Sequence, residues 1–205
     1  MPQRPFSADV RVNASFWLLV LLAAIVSPLT VGAAILTAAA LGHLAAMRYY
    51  GVSVKRFRLT ALGAELDAPA LARLSYGREL IITLAGVTVN LFCAILLALL
   101  GLRTWREWCF VFAGAHLVLA AFNLLPVVPL DGARALCLAL SFFLGPATGE
   151  RITAAVSLAC SLALCALGLK LSLGLHSGWL FAFAALGLLW GTLRQLGLAR
   201  GGKSV

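Results

Sequence analysis

Polar and apolar positions alternate along this chain in long blocks. No charged residue falls between Val12 and Met47, and Pro28 in SPLTVG interrupts that stretch. Proline breaks a helix interior, so the pattern predicts a short first pass over 16–26 and a second over 31–49. Further apolar runs follow at Glu79–Leu102, Cys109–Leu125, Ile152–Leu169 and Trp179–Leu193, with a shorter helix at Ala133–Leu144. All the passes but the first approach the ~20 residues that cross a bilayer. The expected fold is an all-α polytopic membrane protein of about six transmembrane helices, with a small β-strand element between the second and third. That strand is VSVKRFRLT, which alternates as a strand does. Val52, Val54, Arg56 and Arg58 share one face; Ser53, Lys55, Phe57 and Leu59 share the other. It reads either as a basic loop meeting anionic lipid or as a membrane-edge strand that accepts an extended peptide.

Composition narrows the class. Of 205 residues, 62% are hydrophobic and 11% charged, with a mean hydropathy of +1.02. A soluble domain of this size could not bury so much apolar surface. The pattern gives one membrane-embedded domain over 1–205, with an N-terminal segment at 1–15, a strand-and-loop segment at 50–78 and a short tail at 195–205. The polar start MPQRPFSADVRVN is unlike a cleaved leader. The net charge of +9 reads as topology and not as a nucleic-acid site. With six passes, Arg103, Arg106 and Lys170 fall on one side and the other thirteen of the 16 basic residues on the opposite side. Positive residues stay cytoplasmic, so both termini are expected there, in a bacterial cytoplasmic membrane. The five cysteines are odd in number and form no CxxC pair, which suits buried thiols better than disulfides.

Three polar stations interrupt the apolar runs. His43 lies in TAAALGHLAAMR; a lone histidine in such a helix suits packing and hydrogen bonding as well as ligation. Asp131 follows two prolines in NLLPVVPLDG. Non-helical backbone at membrane depth requires protein or a cavity around it, and a carboxylate there is a functional candidate or a cap for a helix starting at Gly132 or Ala133. Asn90 ends AGVTVN and needs a polar partner within the bundle. His116, seven residues before Asn123, could serve as a further ligand, and His176 less readily. Glu65 and Asp67 could reach inward from the polar segment.

Taken together, in this order and spacing, these motifs resemble the site-2 protease family of intramembrane zinc metalloproteases. The likeness covers about Thr37 to Leu136, half the chain, and NLLPVVPLDG is its most specific part. The compact six-pass, sporulation-type branch without PDZ or CBS domains is the nearest match. The resemblance implies one Zn²⁺ bound by His43, Asp131 and a first histidine at position 39, with a general-base glutamate at position 40. Asn90 would match the family's glycine–asparagine motif. Asn123 would orient substrate or an oxyanion, and Val52, Val54, Arg56, Arg58 and Gly86 would receive the peptide. The implied partner is a membrane or membrane-associated protein substrate in the lipid bilayer, with a regulatory partner or oligomer left open.

Position 39, however, is Ala39 and position 40 is Ala40, and the family's proline after Gly86 is Val87. Three ligands leave zinc a fourth position for an activated water; this chain offers two of the three and no base. Metal affinity is therefore expected to be weak or absent and the chain to be inactive. Two origins fit: substitution of His and Glu in an otherwise intact TAHELGH, or a natural pseudoprotease that binds membrane peptides without cutting. The rival from another class is a non-enzymatic adaptor for transmembrane helices. A transporter would need a polar path, and the last two spans offer few polar groups.

Overall fold

The computed structural model describes residues 9–12, 29–52, 56–60, 63–67, 71, 74–175 and 179–196. The first expected pass, 16–26, lies outside them. Six helices are described: α1 Leu29–Tyr49, α2 Tyr76–Thr104, α3 Glu107–Asn123, α4 Asp131–Leu144, α5 Pro146–Leu175 and α6 Trp179–Gln195. Three short strands accompany them: β1 Asp9–Val12, β2 Arg56–Thr60 and β3 Gly63–Asp67. The chain divides into two compact units, Met1–Phe122 and Asn123–Val205.

In the first unit α1 packs on α2. Small residues permit the approach: a Cβ on Gly42 would lie 2.8 Å from the Ala85 carbonyl oxygen and 2.8 Å from Val89 Cγ2. The end of α1 is set by Gly51, whose φ of +68° suits glycine. The Val52 N–H donates to the Met47 carbonyl at 2.8 Å and the Gly51 N–H to that of Arg48 at 3.1 Å, which is the Schellman closure. The reversal folds Val52 back onto Met47, where both join Leu71 and Ile82 in a buried cluster. Val52 is thus a core residue, 4% exposed, and not the substrate-facing position that strand alternation suggested.

The sheet order is β1-β2-β3. β1 pairs with β2 in parallel, Asp9 opposite Arg56 through Val12 opposite Leu59. β3 pairs antiparallel, with Arg56 opposite Asp67 and Arg58 opposite Glu65. β2 is therefore the central strand, which corrects the expectation of an edge: its main chain is engaged on both sides. Val54 lies outside the described residues.

α2 and α3 are joined through Trp105, in the left-handed region at φ 52°, whose N–H donates to the Gly101 carbonyl at 2.8 Å. In the second unit α5 packs on both α4 and α6. α4, at 14 residues, is shorter than the ~20 needed to cross a bilayer. Among the described residues two helices are long and apolar enough to do so, Tyr76–Thr104 and Pro146–Leu173, and their most apolar windows are only 33% and 22% buried. Phe92, Ile95, Leu96 and Leu99 face outward from α2 while Ile82, Gly86 and Asn90 are buried. Apolar surface presented outward on this scale is that of a membrane protein. All five cysteines are free thiols.

Candidate functional site

His43 sits on the α1 face that meets α2. Its Nδ1 lies 2.9 Å from the Ile82 carbonyl oxygen. A carbonyl only accepts, so Nδ1 carries the proton and Nε2 is the acceptor nitrogen of the ring. Tying one imidazole nitrogen to a carbonyl is how proteins orient a ligating histidine. Gly86 lies directly against this ring: an added Cβ would fall 2.7 Å from His43 Cδ2 and nearer still to Nε2. The imidazole rests in the space that the missing side chain leaves at Gly86.

Asn90 is one helical turn beyond Gly86. It is fully buried, and its Oδ1 lies 2.9 Å from Nδ1 of His116 on α3. His116, 5% exposed, therefore donates to Asn90, which fixes the amide. The Asn90 Nδ2 is buried with no hydrogen-bond partner among the described residues. The sequence showed that Asn90 needed a partner and that His116 was in the fourth span; it did not show that the two pair. Ala39, 7% exposed, precedes His43 by one turn on the same buried stripe. Because Gly42 meets Ala85 and Val89 while His43 meets Ile82 and Gly86, the two helices run antiparallel, and Ala39 falls at the level of Asn90.

In the second unit the chain leaves α3 at Asn123 and passes through Pro126 and Pro129, the latter after a cis peptide bond. Val127 and Leu130 are buried at 0% and 5% exposure and anchor this segment. Val127 N–H donates to the Leu125 carbonyl and Leu130 N–H to that of Val127, both at 2.8 Å. Asp131 is the first residue of α4 and Leu130 its cap position, so the aspartate does not cap a helix starting after it. A carboxylate in the first turn still lies favourably in the helix dipole. Gly132 folds against the preceding segment, where a Cβ would meet the backbone of Leu124 and lie 2.6 Å from the Leu125 carbonyl oxygen. Glycine here lets the helix start close on its own approach.

The donors on α1 do not fit a three-ligand zinc centre. His43 contributes one nitrogen, while positions 39 and 40 carry methyl groups. Among the described residues no three His, Cys, Asp or Glu side chains are grouped to hold a metal ion. Strand residues Arg56 and Arg58 are placed by β2, and His176 lies outside the described residues. Sequence reading missed Ser157 and Thr192, buried at 0% and 1% exposure; Thr192 is the one hydroxyl of α6, and Ser157 shares a buried stripe of α5 with Thr153 and Ser161 at four-residue spacing.

Antiparallel α1 and α2 joined by a polar segment, then a proline-broken turn into a short helix bearing an aspartate, make up an intramembrane-protease fold. A solved structure makes this concrete: the Site-2 Protease from Methanocaldococcus jannaschii matches with a TM-score of 0.70, over 100% of this chain and 97% of that one, at 19% identity. The chain therefore has the site-2 protease fold. No protein-family model and no curated protein sequence matches it.

Proposed function

We propose that this chain is the scaffold of an intramembrane zinc metalloprotease that, as written, holds a membrane peptide without hydrolysing it. The observation that carries the reading is His43. Its ring is oriented by the Ile82 carbonyl at 2.9 Å and seated on Gly86, as a ligand would be, in a helix whose positions 39 and 40 are alanine. Zinc, where such a site is whole, supplies a Lewis acid and an activated water. Here the chain's own residues orient and pack, and position 40, where the base would stand, is alanine. Asp131 is the remaining carboxylate of the reading and Asn123 a group that would orient the substrate. The sporulation-type branch is a finer form of the same proposal.

The substrate proposed is a membrane protein segment that unwinds at the membrane edge. Because both sides of β2 are paired, an added strand would lie along the outer edge of β1 or β3. His43 is five residues from the basic end of α1 at Arg48, about 7–8 Å along a helix. Under the charge bias this places His43 near the cytoplasmic face. Multiple passes and cytoplasmic termini belong to the same proposal, and reporter fusions at either end check them: a periplasmic signal at both would reverse the orientation.

The deciding experiment compares zinc content in the detergent-purified chain and in the double substitution Ala39→His, Ala40→Glu. A gain of about one zinc in the substituted chain, lost again with Asp131→Ala, supports a disabled protease. Zinc in neither would leave the adaptor for transmembrane helices as the function. A natural pseudoprotease and a deliberately silenced enzyme behave alike in this assay.

A further inference from the structure

The segment that carries Asp131 is held by hydroxyl groups from helices to which no role has been assigned. Pro126 and Pro129 remove two amide donors and end α3, leaving Val128 as a peptide unit outside regular structure. Its N–H donates to Ser157 Oγ of α5 at 2.8 Å. Ser157 Oγ lies 3.3 Å from Thr192 Oγ1 of α6. Thr192 Oγ1 in turn donates toward the Leu188 carbonyl at 3.0 Å and the Val128 carbonyl at 3.4 Å.

Proton counting fixes the direction. Each hydroxyl has one hydrogen. Thr192 uses its hydrogen on backbone carbonyls, so the Ser157 hydrogen goes to Thr192, and Ser157 accepts from Val128. The chain of bonds therefore starts at the Val128 N–H and returns, through the longer arm at Thr192, to the Val128 carbonyl. Both hydroxyls are shut away from the surroundings, at 0% and 1% exposure. With no water at hand, an irregular peptide must find its partners within the protein.

We infer that Ser157 and Thr192 are positioning residues that clamp the Val128 peptide and thereby set where Asp131, three residues on, enters α4. That Asp131 is the working carboxylate rests on the proposed function; the clamp itself does not. The last two helices then belong to the machinery of the aspartate segment, although the sequence marks them as apolar filler.

The test uses the full chain as written, labelled with ¹⁵N and observed by NMR in detergent micelles, so it is independent of zinc and of any substrate. Thr192→Val, equal in shape but without the hydroxyl, is expected to move the amide resonances of both Val128 and Asp131. Thr192→Ser, which keeps the hydroxyl, is expected to return them. Ser157→Ala is expected to shift the Val128 amide proton upfield, as a lost hydrogen bond does. A merely structural role would move resonances across α5 and α6 alike, and Thr192→Ser, a methyl short, would not restore them. If Thr192→Val does not fold, Ser157→Ala decides. Unchanged Val128 and Asp131 resonances in the folded variants overturn the inference, even where the zinc experiment succeeds. Resonances that respond as expected uphold it, even where that experiment fails.

Discussion

At the scale of single residues, the half-buried His43 and the buried His116 are each held by a partner within the protein. His43 leans on a backbone carbonyl, and His116 on the Asn90 amide. The second pair is open to a direct measurement. A double-mutant cycle of Asn90→Ala and His116→Ala, read from thermal unfolding in detergent, should return a coupling of about 0.6–1.7 kcal/mol, the range for hydrogen bonds between membrane helices. A coupling of zero would mean the pair contributes packing alone. The unpartnered Asn90 Nδ2 adds a second expectation. At the level of Ala39, any acceptor introduced by substitution at position 39 comes within the register of that donor. The Ala39→His chain should therefore lose less stability than a histidine placed on an apolar stripe ordinarily costs. A larger loss, measured as a fall in unfolding temperature beyond that of Ala39→Leu, would contradict the alignment of the two helices.

At the scale of elements, turn chemistry decides more than periodicity. Gly51 terminates α1 with positive φ, and replacing it by alanine should destabilise the unit by about 1–2 kcal/mol. An unchanged unfolding temperature would show that the reversal tolerates another conformation. This turn also explains what could be read in advance. The apolar runs gave α1, α2, α3, α4 and α6 to within three residues, because their lengths and flanking charges are strong signals, while α5 extends six residues beyond its expected run of 152–169 at each end. The alternation beginning at Val52 misled at that residue, since it ignored the glycine just before it: Val52 closes the helix end, and the described strand is Arg56–Thr60. β1 was invisible within a polar stretch because four residues, Asp9–Val12, carry too little pattern, and only pairing with β2 defines them. His43, Gly86 and Asn90 were legible as a motif. That Gly86 seats His43, that His116 holds Asn90, and that Ser157 and Thr192 hold Val128 are all contacts between distant segments, and no local spacing announces them.

At the scale of the whole molecule, the parallel pairing of β1 with β2 has a consequence of its own. The strand that occupies one side of β2 comes from the start of the chain and is held there across four residue positions. An incoming extended segment of the same length that took its place would trade one row of main-chain hydrogen bonds for another. Removing residues 1–12 should therefore turn β2 into an open edge and raise crosslinking of a photoreactive extended peptide to Arg56–Thr60, while the full chain crosslinks along β1 or β3. Equal labelling of β2 in both would show that β1 does not guard it.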